Sequence, residues 1–243
     1  MKFADLVDSG ESRWITAKYY DWLDRYRGSN EAEIEADLLS HILTKNEERI
    51  RTESWSASSA GSCVRRQQFV YLGKKKPPLD SKTLNIFRNG DYMHLRHQVA
   101  GLRMGYLQDV ETPVEMKHLN VRGTIDGICS DGMIAEFKSI NSYGFDNLLA
   151  PQKDHVRQVH AYMLARGATG ARIVYENKNT QQLKEFFVEF DEKISASNVS
   201  EWEFAQQGIE DKALAPALPP DSYQCRWCPF SRDCRSTSFG DLA

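Results

Sequence analysis

The chain lacks any run of about eighteen apolar residues, so no membrane-crossing helix is expected. Its first residues, MKFADLVDSGESR, contain no apolar stretch of the kind a secretory leader needs. No internal repeat or long low-complexity tract interrupts its 243 positions, and proline is limited to eight residues; a collagen-like fibre and a disordered tail are both excluded. Cysteine is sparse and odd in number, five in all, which excludes a disulfide-dense mini-protein. Charge of one sign is missing too: 31 Lys and Arg face 34 Asp and Glu, a net charge of −3. The total therefore gives no sign of a polyanionic partner.

What is present is an ordinary globular composition, 41% apolar and 27% charged. The length suits one large domain, or one domain with an appendage. A soluble, cytoplasmic protein with no membrane partner is expected. The charge is unevenly spread. Residues 1–50 hold seven Lys and Arg against eleven Asp and Glu, whereas residues 63–103 hold nine against two. The nine are Arg65, Arg66, Lys74, Lys75, Lys76, Lys82, Arg88, Arg96 and Arg103. Such a local basic field attracts phosphate, and it is equally the composition of a solvated face.

Residues 1–54 read as helical, with one apolar stripe at Trp14, Ala17, Tyr20, Trp22 and Leu23 and a second at Ile34, Leu38, Leu39, Ile42 and Leu43. A serine-rich loop is expected at 54–63 and another loop at KKKPP, residues 74–78. A helix over 86–103 precedes strands at 108–115, 121–128 and 134–140. A helix of about fifteen residues follows Pro151 and ends at Gly167, then come strands at 171–177 and 183–190 and a helix over 191–213. The segment APALPP links this to a cysteine-bearing tail. Strands interleaved with helices predict an α/β architecture.

The most informative stretch is VRGTIDGICSDGMIAEFKSI, residues 121–140. Asp131-Gly132 between two strand patterns marks a hairpin. With Gly132 in the left-handed position of the turn, 128 pairs with 134 and 126 with 136. Asp126 and Glu136 then stand opposite each other on one face, where two carboxylates repel and a divalent cation between them removes the penalty. Lys138 shares that face because side chains alternate along a strand. Two carboxylates and a lysine suit phosphodiester hydrolysis: a metal ion polarises the phosphate and the ammonium stabilises developing charge. A surface hairpin of alternating charges has the same pattern.

The tail reads Cys225-Arg-Trp-Cys228-Pro-Phe-Ser-Arg-Asp-Cys234. Three thiols in ten residues form a ligand cluster, and a four-thiolate site needs a fourth from Cys63 or Cys129. Cys129 ends an expected strand, where a small apolar residue suffices, which leaves Cys63. A structural zinc and an iron–sulfur cluster both accept four thiolates.

Asp126 followed by Glu136-Phe137-Lys138 resembles the D…E-x-K core of the PD-(D/E)XK nucleases, without the usual proline before the aspartate. The flanks are similar to the RecB-like exonuclease branch. Gly90-Asp-Tyr-Met-His94 resembles its G-x-x-x-H helix, with His97 as a rival on the same helix, and Gln158-Val-His-Ala-Tyr162 resembles its Q-x-x-x-Y helix. One cysteine before the core and C-x2-C-x5-C after it resemble that branch's split 4Fe-4S site, at Cys63, Cys225, Cys228 and Cys234.

The resemblance implies a restriction-endonuclease-like core, a central mixed sheet flanked by helices, over residues 56–243, preceded by a helical arm over 1–55. It implies a DNA exonuclease acting on ends of single-stranded or frayed DNA. His94, Asp126, Glu136 and the Phe137 carbonyl would bind Mg2+ or Mn2+, Lys138 would position the attacking water, and Gln158 and Tyr162 would support the site. Arg65, Arg66, Lys74, Lys75 and Lys76 would hold the DNA backbone. The cluster would staple the tail to the N-terminal arm. The alternatives are a non-catalytic DNA-end-binding subunit and a CRISPR spacer-processing nuclease. A homo-oligomer and recombination or CRISPR partner proteins are further expectations within the branch.

Overall fold

A computed structural model describes residues 14–25, 36, 40 and 53–242. The second expected apolar stripe, Ile34, Leu38, Leu39, Ile42 and Leu43, lies outside them. The elements are α1 (Trp14–Arg25), β1 (Trp55–Ser56), α2 (Val64–Tyr71), α3 (Ser81–Met104), β2 (Leu107–Met116), β3 (Val121–Cys129), β4 (Ile134–Ile140), α4 (Ser142–Asp146), α5 (Lys153–Arg166), β5 (Gly170–Asn177), β6 (Leu183–Glu189), α6 (Glu192–Glu210) and α7 (Tyr223–Arg226). Helix α2, the short α4 and the two-residue β1 were not expected, and α3 begins earlier than its apolar stripe suggests. Its start is set by Asp80, whose carboxylate accepts from the Thr83 N–H at 2.8 Å. Helices α3 and α5 both end at a left-handed glycine, Gly105 and Gly167.

One mixed six-stranded sheet runs β1-β3-β4-β5-β6, with β2 also paired to β3. Strands β4 and β5 are parallel; β2–β3, β3–β4 and β5–β6 are antiparallel. Side chains alternate between two apolar layers. On one face Ile134, Ile173 and Tyr175 meet Val159 and Met163 of α5 and Trp202 of α6. On the other, Ala135, Phe137 and Val174 meet Met93 and Ala100 of α3 and Ile15 and Tyr19 of α1. This is the expected α/β core, a central mixed sheet flanked by helices.

Helix α1 is docked on the sheet by one buried carboxylate. Glu185 of β6 accepts from the backbone N–H groups of Trp14, Ile15 and Thr16 at 2.8–3.2 Å, satisfying the donors that a helix start leaves open. The C-terminal tail docks in the opposite layer. Arg65 of α2 donates to the carbonyls of Ala215, Cys234 and Thr237, and Lys74 pairs with Asp233 at 2.8 Å. The tail thus meets the helix that follows Cys63; the expected staple to the N-terminal arm falls largely on residues outside those described. Among the described residues, no helix is long and apolar enough to cross a membrane.

Candidate active site

The β3–β4 hairpin has the register that its turn chemistry implies. Gly132 has φ 83°, and Ile128 pairs with Ile134 and Gly127 with Ala135. The ladder stops there. Toward its start, the same edge of β3 is taken by β1 at Val121 and Arg122. Asp126 and Glu136, next in register, therefore sit where the two strands part. Asp126 holds the opening by accepting from the Phe137 N–H through Oδ2 at 2.9 Å.

Glu136 is 1% exposed. Its Oε1 accepts from Lys138 Nζ at 2.5 Å and from Gln158 Nε2 at 2.7 Å. Its Oε2 is buried and, among the described residues, has no hydrogen-bond partner. Burial, and then the charge of Asp126, push the Glu136 carboxyl up to about 7. Burial pushes Asp126 upward as well, but His94, Lys138 and the Phe137 N–H outweigh it and hold Asp126 below its ordinary value. Lys138 is pulled down by burial and lifted further by Glu136 and Asp126, so it stays an ammonium ion.

Helix α5 supplies the second wall. Gln158 accepts from Lys138 Nζ at 3.0 Å and donates to the Tyr162 hydroxyl at 3.1 Å. Gln158 and Tyr162 lie one helical turn apart, as expected. Helix α3 supplies the third wall. His94 Nδ1 lies 3.3 Å from Asp126 Oδ1; burial lowers the imidazole's affinity for a proton, but Asp126 more than restores it. The rival, His97, is fully buried, 2.7 Å from Glu176 Oε2 and stacked on Phe137 with ring centres 5.1 Å apart. His94 is thus the histidine that faces Asp126.

Three more residues belong to this neighbourhood. Gln98, one turn after His94 and 1% exposed, donates from Nε2 to the Asp126 carbonyl at 2.8 Å and to Glu111 Oε1 at 2.9 Å. Glu111 would face Asp126 in the β2–β3 register, between the pairs Val110–Gly127 and Thr112–Ile125. Its backbone is left-handed, φ 48°, a conformation that costs on the order of 1 kcal/mol or more and concentrates at functional sites. His155 of α5 lies 2.8 Å from the Tyr175 hydroxyl, and burial with the charge of Lys138 pushes it down to about 3. A glutamine and a backbone angle carry no sequence signal, so only the fold reveals Gln98 and Glu111.

Among the described residues, no three His, Cys, Asp or Glu side chains stand closely enough around one point to enclose a metal ion. Cys63, Cys225, Cys228 and Cys234 are free thiols that instead line a single cavity of about 410 Å3. Cys129, by contrast, is fully buried in the apolar layer beside α1 and α3. Of the five cations expected on a DNA backbone, Arg65 and Lys74 have their donors engaged by the tail. Arg66, Lys75 and Lys76 are exposed.

No family model and no curated protein matches this chain. Among solved structures, the protein SSO0001 is 18% identical with a TM-score of 0.51, covering 84% of this chain and 94% of its own. LHK-Exo, an alkaline exonuclease from Laribacter hongkongensis, solved with dAMP, is 13% identical with a TM-score of 0.53, covering 66% of this chain and 89% of its own. The likeness is one of fold: a mixed sheet flanked by helices.

Proposed function

We propose that this chain is a metal-dependent deoxyribonuclease of the RecB-like PD-(D/E)XK kind, hydrolysing phosphodiester bonds from the ends of single-stranded or frayed DNA. The observation that carries this reading is the meeting of Asp126, Glu136 and Lys138 where β3 and β4 part, with His94 on one side and Gln158 on the other. LHK-Exo, a protein of the same fold solved with dAMP, supports a DNA strand as the substrate.

The donor chemistry, two carboxylates and an imidazole, suits a hard divalent cation, which would draw the three side chains closer together than they stand here. A buried carboxylate oxygen without a partner is costly, and Glu136 Oε2 is such an atom beside a second carboxylate. His94, Asp126 and Glu136 would hold Mg2+ or Mn2+. The Phe137 carbonyl would join them, since the N–H and C=O of one strand residue point the same way and this N–H points at Asp126. A cation held there supplies Lewis-acid polarisation of the phosphodiester. Lys138 sets the attacking water and opposes the charge that develops on phosphate. Gln158 fixes Lys138 and Glu136 together, Tyr162 fixes Gln158, and Gln98 fixes the Asp126 backbone. Arg66, Lys75 and Lys76 meet the DNA backbone.

The same reading gives Cys63, Cys225, Cys228 and Cys234 a 4Fe-4S cluster. These four cysteines line one cavity, and their order, one before the core and three after it, supports the cluster over zinc, whose sites usually come as two close pairs. Its role is structural, in joining the tail to α2.

The test is digestion of linear DNA labelled separately at each end, with Mn2+, Mg2+ or EDTA, by wild type and Glu136→Gln. Metal-dependent loss of label in the wild type alone is expected, and the label that leaves first gives the polarity. A wild type that binds ends but never cuts would make the chain a DNA-end-binding subunit.

A further inference from the structure

A polar pocket of about 310 Å3 lies between α3 and the carboxyl ends of β4 and β5. Asn89, Tyr92 and Arg96 line it from one face of the helix, Ser139 from β4, and Lys178 and Gln181 from the β5–β6 turn. Because β4 and β5 are parallel, their carboxyl ends share this edge, and ligands of open α/β sheets bind beyond that edge. Ser139 follows Lys138, and Tyr92 comes two residues before His94. Adjacent strand residues face opposite sides of the sheet, so the pocket lies on the α3 side, across β4 from Lys138 and Glu136, which meet Gln158 of α5.

Its chemistry is distinct from that site. The carboxylate at its floor, Glu176, is matched within the wall: Arg96 Nη2 donates to it at 2.5 Å and His97 Nε2 lies 2.7 Å away. Arg96 engages Glu176 through Nη2 alone. Among the described residues, the Lys178 ammonium, the Ser139 hydroxyl and the Asn89 amide hydrogen-bond to no protein group. Two cations against one paired carboxylate leave the pocket positive, and the Tyr92 ring at its rim is 44% exposed. Cations with hydroxyl and amide groups suit phosphate and sugar, and an exposed ring offers a base a stacking platform. The volume lies at the lower end of small-molecule pockets, roughly 300–1,000 Å3, which suits a nucleotide better than a lone ion.

We propose that this pocket binds one nucleotide of the DNA strand, with Lys178 and Arg96 on its phosphate and Tyr92 stacked on its base. The assignment of the strand rests on the nuclease reading, whereas the binding itself is measurable without cleavage.

The test uses the full chain with its cysteine site intact. Fluorescence anisotropy of a labelled oligothymidylate in EDTA, over a salt series, compares wild type with Lys178→Ala, Lys178→Arg and Tyr92→Ala, and end-label digestion in Mn2+ runs in parallel. Lys178→Ala is expected to bind roughly tenfold more weakly, with a salt slope smaller by about 0.7, the share of one phosphate contact on a single strand. Lys178→Arg restores both. Tyr92→Ala weakens binding on the order of tenfold at an unchanged slope. If wild type cuts DNA while all variants bind as it does, the pocket inference falls and the nuclease reading stands. If Lys178 and Tyr92 control binding but wild type never cuts, the nuclease reading falls and the pocket stands. A wild type that neither binds nor cuts overturns both. Displacement of the oligonucleotide by dTMP from wild type but not from Lys178→Ala would reassign the pocket to a released mononucleotide.

Discussion

Gln158 Nε2 lies 2.7 Å from Glu136 Oε1, while the oxygen of the same amide accepts from Lys138. One side chain on α5 thus fixes two groups on β4, and only an amide in this orientation can serve both. Gln158→Ala should lower kcat on the order of 10²-fold, by freeing two groups that must act together, with little change in KM for DNA. Single-turnover digestion at saturating Mn2+ checks this. A variant with raised KM and unchanged kcat would make Gln158 a DNA contact instead.

The raised proton affinity of Glu136 has a definite sign. Its carboxyl rises from an ordinary 4.5 to about 7, so the folded state binds this proton more tightly than the unfolded state. The stabilisation from that group is complete below its unfolded value and is lost as pH climbs to about 7. A divalent cation needs the ionised form and displaces the proton. Mn2+ affinity should therefore rise with pH and level off above about 7, with proton release on binding near pH 6. Calorimetry in two buffers of different ionisation heat measures that release. Glu136→Gln should release fewer protons, keeping only the one that His94 gives up, and a wild-type affinity flat across this range would refute the assignment.

Much of this site was readable because its geometry is local. The hairpin from 121 to 140 has its register set by a single turn, and strand alternation then puts Asp126, Glu136 and Lys138 together. His94, Gln158 and Tyr162 came from motif spacing on two helices, and the packing of those helices on the sheet was what remained to be seen. The basic field was misleading in part. Charge alone cannot tell that Arg65 and Lys74 bind the tail while Lys75 and Lys76 stay exposed, because that depends on where a segment about 150 residues later folds back. The 310 Å3 pocket was unreadable for a similar reason: its walls come from α3, β4 and the β5–β6 turn, and only the parallel β4–β5 pairing brings them together.

Gln98 offers a test of backbone positioning. It holds the Asp126 carbonyl and the Glu111 carboxylate with one buried amide. Gln98→Ala removes one buried donor from both acceptors, a loss of about 1–3 kcal/mol, seen as a lower melting temperature. Activity should fall roughly tenfold beyond any unfolding, because Asp126 shifts relative to His94. Recovery of full activity at excess Mn2+ would place the defect in metal affinity; persistence at saturation would place it in orientation.

Gly123 shows how closely the support of the site is packed. A Cβ there would stand 2.9 Å from both Ala57 Cβ and Tyr162 Cε1, and both neighbours are buried. Gly123→Ala should destabilise by about 1–3 kcal/mol through overpacking. Tyr162 is the neighbour that can turn, which would draw its hydroxyl from Gln158. Denaturant unfolding gives the stability change. A Gly123→Ala, Tyr162→Phe double variant, compared with each single variant, tells whether the two act on one path. Additive losses would separate them.

The tail has two kinds of fastening, and they can be separated. Arg65, Lys74 and the contact between Phe69 and Phe230, with ring centres 5.3 Å apart, tie it to α2 and the residues after it without any metal. Cys63, Cys225, Cys228 and Cys234 add whatever they bind. Cys228→Ser should abolish the brown colour of anaerobically purified protein and lower its melting temperature, yet leave the chain folded because the polar clasp survives. Arg65→Ala should do the converse, keeping the colour while weakening the tail by about 1–3 kcal/mol, since the carbonyls of Ala215, Cys234 and Thr237 lose a charged donor. Limited proteolysis within residues 214–222 reads the release of the tail directly. A colourless wild type loaded with zinc would overturn the cluster, and an unchanged melting curve in Cys228→Ser would show that the polar clasp alone holds the tail.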